Sequence, residues 1–201
     1  MIHIPRPMPP RFVTDSFYPA FAPELDLPEF VEKMFLDEYS EFFNEHHLHL
    51  LGANIGYLWT NVQNEKGMRM VAATAQIPNI QSSRWNKEIF DFQLKTWFGS
   101  FDLNFLITID ANYAKKIDDD SFCALVEHEL YHCALKGFKA DGTPKFGLRE
   151  HDVTEFVGIT ERYGAGVSLN VPQLVEAALK RPKFSPGQIT SVCGNCLGLR
   201  A

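Results

Sequence analysis

Apolar residues recur along the chain at two different spacings, and those spacings divide it into elements. Pro28 suits the first turn of a helix. From there Phe30, Met34, Tyr39, Phe42 and Phe43 return at roughly helical intervals and predict one helix to about Leu50. Three segments read as strands. Ile55 to Val62 comes first, and Met68 to Ile77 follows the turn Asn64-Glu65-Lys66-Gly67, so the two predict a hairpin. The β-branched, apolar run Leu103 to Asp110 is the third. Between them, Trp85, Ile89, Phe92, Leu94 and Trp97 fit a helix slightly better than a strand.

The second half opens with Asp118-Asp119-Asp120-Ser121, residues that cap a helix and complement its N-terminal dipole. Phe122, Leu125, Val126, Glu129, His132 and Cys133 then share one helical face to about Leu135, with Gly137 as the expected stop. Lys139 to Arg149 contains Gly142, Pro144 and Gly147 and reads as a loop. A helix is expected from near Glu150 to Tyr163, and another from Pro172 through Leu179.

Seven of the 12 prolines fall between Met1 and Pro28, so residues 1–28 are expected to form an extended arm, laid over the domain through Phe12, Phe17, Tyr18 and Phe21. A main domain over 29–181 and a tail over 182–201 complete the expected organisation. A chain of 201 residues with 45% hydrophobic and 13% aromatic residues can build one domain core. The net charge of −6 argues against a protein that coats nucleic acid through a general basic field. The charge is uneven: from Ala134 onward there are nine basic and six acidic residues, which leaves −9 on the first 133. A mildly basic C-terminal part could touch an anionic partner, although a solvated surface is the simpler reading. The N-terminus lacks a signal-peptide pattern, and no apolar run approaches the ~18 residues of a membrane span. A cytoplasmic protein with no membrane partner is therefore expected.

The candidate chemistry lies in His128-Glu129-Leu130-Tyr131-His132. Histidines four apart on a helix sit one turn apart on the same face and can aim their nitrogens at one ion. Zinc takes such nitrogens, and a catalytic zinc has three protein ligands and an open position. Glu129 is placed beside the metal, where it can take a proton from the activated water and pass it to a leaving amine. His151, Glu155 and Asp152 are candidates for the third ligand. His151 suits zinc best, while Glu155 would give a two-His-one-Glu site or orient a histidine. Tyr163, Arg162, Tyr131 and Tyr113 are candidates to stabilise a tetrahedral intermediate, with nothing to rank them.

HELYH, a polar loop, and then His151-Asp152-Val153-Thr154-Glu155-Phe156 resembles the SprT-like zincins, which pair HExxH with a third histidine at the start of the next helix. The run from Ile107 to Gly164, including Glu161-Arg162-Tyr163-Gly164, looks still more like the phage metallopeptidases. The resemblance covers roughly 60 residues and implies His128, His132 and His151 as zinc ligands and Glu129 as the general base. It implies an α+β, zincin-like fold, with a small, mostly antiparallel sheet packed on the helix carrying HELYH. A phage or prophage origin, and hence a host-cell cytoplasm, would follow. So would a protein or peptide substrate, extending to a DNA-associated protein if the SprT-like analogy reaches that far. SprT-like proteins often carry two CxxC pairs, whereas this chain has one, Cys193-Gly-Asn-Cys196. Two thiolates are half of what a structural zinc needs, so a second Zn2+ at Cys193 and Cys196 would require further ligands. His46, His47 and His49 form a rival cluster. The alternative function is a catalytically inactive zincin-fold zinc protein acting as a protein-binding inhibitor or accessory factor.

Overall fold

A computed structural model of the chain describes residues 4–66, 69–100, 102–153 and 171–182. Two compact units divide it, the first running to Arg149 and the second spanning Glu150–Pro186. The first is mixed α+β. Its elements in chain order are α1 (Arg11–Thr14), β1 (Phe21–Glu24), α2 (Leu27–Val31), β2 (Ile55–Thr60), the short β3 (Glu65–Lys66) and β4 (Arg69–Met70), β5 (Ala73–Gln76), α3 (Arg84–Phe98), β6 (Phe105–Asp110), α4 (Ala111–Ala114), α5 (Asp119–His132), β7 (Cys133–Phe138) and β8 (Pro144–Leu148). In the second unit, the described helix is α6 (Val171–Leu179), which matches the expectation that Pro172 opens one.

Four strands form the main sheet in the order β1-β2-β6-β5. β1 and β5 run antiparallel to their neighbours, while β2 and β6 pair in parallel. The sheet is thus mostly antiparallel, but the hairpin expected between the first two strands does not form. β6 lies between β2 and β5, and only the two-residue strands β3 and β4 pair across the expected turn. β5 takes Ala73 and Ala75 to Ile109 and Ile107. The alternation of side chains then gives the sheet two different faces.

One face carries Tyr57, Trp59, Phe105, Ile107, Ile109, Ala73 and Ala75, all buried with Phe122, Leu125, Val126 and Leu130 of α5. Phe122 sits at the centre, stacked on Trp59 at 6.2 Å and edge-on to Phe30 at 6.1 Å. The other face presents Leu58 and Leu106 to Leu94 and Leu103, with Phe90, Trp97 and Phe98 alongside. The ambiguous segment is therefore a helix, stopped at Gly99, whose φ of 71° suits glycine.

Further expectations give way to the structure. The single helix over Pro28–Leu50 is broken into α2, a π-helical turn (Glu32–Leu36) and a 3-10 segment (Glu45–Gly52). Asp37 and Ser40 offer the backbone an alternative to helix. Asp37 accepts from Tyr39 N–H, and the Ser40 hydroxyl donates to the Met34 carbonyl. The helix carrying HELYH ends at His132 rather than Leu135, and the expected loop contains β8, paired antiparallel with β7. Gly137, expected to stop the helix, sits instead at an irregularity of that ladder with φ 133°. The N-terminal segment is not held by its aromatics, since Phe12, Phe17, Tyr18 and Phe21 are exposed. Val13 and Ala22 are buried instead. Arg6 pairs with Asp119 at 2.7 Å and donates to the carbonyls of Ala114 and Ile117. Of the helix expected over Glu150–Tyr163, residues 150–153 are irregular and the remainder lies outside the described residues. Among the described residues no helix is long and apolar enough to cross a membrane.

Candidate metal centre

The centre is built on the C-terminal half of α5. Asp118 caps the helix, its side chain accepting from Ser121 N–H at 2.7 Å, and Asp119 and Asp120 complement the dipole in the first turn. Leu125, Val126 and Leu130 face the sheet and are fully buried. Glu129 is four residues from Leu125 and three from Val126, so helical geometry puts it on the same face, and it too is fully buried. Alanines at 73 and 75 leave room for the helix to approach β5. At that contact the backbone N–H of Ala75 donates to Glu129 Oε2 at 2.8 Å. The carboxylate is thereby oriented by an edge strand of the sheet.

The histidines lie one residue before Glu129 and three after it on α5. His128 is partly exposed and His132 is buried, with ring centroids 5.1 Å apart and planes at 69°. His132 Nδ1 lies 2.7 Å from the Arg149 carbonyl oxygen. A carbonyl can only accept, so Nδ1 carries the proton and Nε2 of the neutral ring carries the lone pair. Arg149 N–H donates in turn to the His132 carbonyl at 2.8 Å. This reciprocal pair closes the β7–β8 hairpin onto the last residue of α5. It also restrains His151, which is two peptide units beyond Arg149, so that their Cα atoms can be no more than about 7 Å apart.

His128, His132 and His151 each offer one ligand atom, and these lie within 4.8 Å of one another. Such a group of three imidazoles could hold a metal ion. Asp152 is outside that group, while Glu155, Arg162, Tyr163, Cys193 and Cys196 lie outside the described residues. The rival cluster does not converge. His47 is fully buried, edge-on to Tyr131 at 4.5 Å, and His49 Nε2 donates to the Cys133 carbonyl at 2.7 Å. Tyr131 is held at the surface by Asn44, whose amide donates to its hydroxyl and to Glu127 Oε1, both at 2.8 Å. Burial, reinforced by the negative charge of Glu129, pushes the Cys133 thiol far above its usual range. Metal ligation needs the thiolate, so Cys133 is a small buried apolar residue beside the site.

The two groups that fix the centre's geometry, the Ala75 N–H and the Arg149 carbonyl, are backbone atoms. Any residue type supplies them, so no signal in the sequence could have marked them. Asn44 was likewise unmarked, because its role depends on a turn that brings it alongside α5.

A family model described as "Putative phage metallopeptidase" matches residues 28–179 of the chain. No curated protein and no solved structure matches it.

Proposed function

The chain belongs to the family of putative phage metallopeptidases, whose model spans well over half of its length, and from that premise we propose that it is a zinc-dependent peptidase of zincin-like, SprT-related fold. The observation that carries the reading is the approach of three imidazole ligand atoms, from His128, His132 and His151, to within 4.8 Å of one another. The donor set suits zinc in a catalytic setting, where three nitrogens leave one of four positions for substrate or water. His132 is prepared for that role, since its Nδ1–H is committed to the Arg149 carbonyl and its Nε2 lone pair is available to an ion. When bound, the ion supplies Lewis acidity toward water and a carbonyl oxygen.

The remaining work belongs to the chain. Glu129 accepts the proton of the attacking water and returns it to the leaving amine. The hydrogen bond from Ala75 N–H holds Oε2 and so fixes the aim of the carboxylate. Burial of Glu129 keeps bulk water from competing for it. The substrate is a protein or peptide, as for a peptidase family. The domain bearing the activity spans 29–181, and the protein acts in the cytoplasm of a host cell if the gene is carried by a phage.

The experiment is cleavage of a proteome-derived peptide library by the zinc-reconstituted full chain and by Glu129→Gln. The wild type is expected to cut, and the variant to keep its zinc while losing the cutting. Cleavage that survives in Glu129→Gln would show that Glu129 is not the base.

A further inference from the structure

The hairpin after His132 has two unlike faces. Leu135 and Phe146 pair across its inner face, and Phe146 packs edge-on against Phe105 of the sheet at 5.6 Å. Alternation along the two strands puts Ala134, Lys145 and Gly147 on the outer face, and Lys136, at the irregularity of the ladder, lies across Gly147 on that face. Among the described residues that face holds two cations, Lys136 and Lys145, and no acid. The single acid of the hairpin, Asp141, lies in the turn, where it accepts from Thr143 N–H and faces Lys139. Among the described residues neither Lys136 nor Lys145 has an ion-pair partner. Gly147 contributes by being small. A Cβ there would stand 2.8 Å from Lys136 Cγ, so glycine lets the lysine stem lie flat across β8.

Position gives this surface its meaning. β7 begins at Cys133, directly after His132, so the ladder runs outward from the histidine centre. At about 3.3 Å per residue, Lys136 stands about 13 Å from His132. Lys145, opposite Gly137, stands about 17 Å away. An extended peptide with its reacting bond at the centre covers that distance in four to five residues.

We propose that the outer face of the β7–β8 hairpin is a recognition surface for an acidic segment of the protein substrate, four to five residues from the bond that is cut. The assignment of the hairpin as a substrate surface rests on the peptidase reading, while its preference for anionic peptide does not. Charge complementarity selects the occupant. A cationic face on a chain whose first 133 residues carry −9 favours a short acidic peptide over nucleic acid, which needs more phosphate contacts and would be repelled by the body.

The test uses the full chain and its Lys136→Glu/Lys145→Glu variant. Binding is read by fluorescence anisotropy of a labelled peptide bearing four glutamates, with a glutamine-substituted peptide as control. Zinc content and melting temperature confirm that the variant is folded, and Lys136→Gln/Lys145→Gln serves as a milder second variant. The wild type is expected to prefer the acidic peptide. The charge reversal should weaken that binding on the order of tenfold at 0.1 M salt and much less at 1 M, where screening shortens to about 3 Å. Equal binding by wild type and variant overturns the proposal, as does tighter binding of a DNA duplex than of the peptide. Cleavage-site profiling separates the two layers. Cutting without enrichment of Asp or Glu at the fourth and fifth residues leaves the peptidase reading standing and sinks this one. An absence of cutting together with lysine-dependent binding of the acidic peptide does the reverse.

Discussion

Replacing Glu129 by glutamine should make the metal-free protein more stable while it destroys the activity. Glu129 is fully buried, and taking a carboxylate out of water costs several kcal/mol even after relaxation. The hydrogen bond from Ala75 N–H, charge-assisted, returns about 1.5–3 kcal/mol of that cost. Glutamine has nearly the same shape and keeps a carbonyl oxygen for that N–H, so the variant retains the bond and sheds the buried charge. The net gain is on the order of 1 kcal/mol, the size commonly found when a functional group is removed from a site that stores destabilisation. For a unit of this size that raises Tm by about 2–4 °C. The loss of a general base should lower kcat by about 10²–10⁴-fold. The assay is thermal unfolding of both proteins at pH 8 in the presence of a chelator, paired with cleavage after zinc reconstitution. A Tm several degrees lower in Glu129→Gln would refute the reasoning, because it would make the carboxylate a net stabiliser of the core. Alanine supplies the contrast: Glu129→Ala leaves the buried Ala75 N–H without its acceptor, which costs about 1–3 kcal/mol, so it should melt below glutamine.

Gly56→Ala should cost about 1–3 kcal/mol in urea unfolding, because a Cβ there would stand 2.7 Å from Leu103 Cδ1 and 3.2 Å from the Phe98 ring; an unchanged midpoint would mean that α3 does not close on that face of the sheet. Asp118→Ala should lower Tm by removing the cap of α5. Hydrogen bonding to Ser121, outweighing a small burial effect, holds the Asp118 carboxyl below its ordinary value. The cap's contribution is therefore complete above the unfolded value near 3.9 and lost as pH falls through the folded one, so the difference between wild type and variant should shrink in acid melts. Burial, with the charges of Asp119, Asp120 and Glu127, pushes the Cys123 thiol up to about 11; thiolate is scarce at pH 8, and mass-spectrometric labelling should find Cys123 slow there and faster as pH approaches that value. Rapid labelling of Cys123 at pH 8 would contradict the packing around α5.

What the sequence made legible was local. The i, i+4 histidines, the Asp118 cap and the inward face of α5 are set by residues within one helix, and all appear where the pattern put them. β2 and β6 were legible as strands because both faces are covered and their apolar runs are nearly continuous. Their pairing was not, since insertion of β6 between β2 and β5 depends on contacts between segments far apart in the chain. The segment after α2 misled because Phe30, Met34, Tyr39, Phe42 and Phe43 recur at roughly helical spacing, while Asp37 and Ser40 end the helix through bonds to the backbone. The hairpin after His132 was hidden by its own glycines. Gly142 and Gly147 read as loop, yet one makes the turn with φ 82° and the other admits Lys136 across a strand. His151 was legible as a candidate from its residue type. Its tether, the reciprocal bonding of Arg149 to His132, rests on backbone atoms that no side-chain pattern reports.

The most direct test is the metal content of the purified full chain, measured by elemental analysis together with a crystal structure of the zinc-loaded protein. The account predicts a zinc ion held by His128, His132 and His151, with its fourth position open to solvent and Glu129 beside it. Purified protein that takes up no zinc, or a zinc whose fourth position is closed by another side chain of this protein, would contradict it.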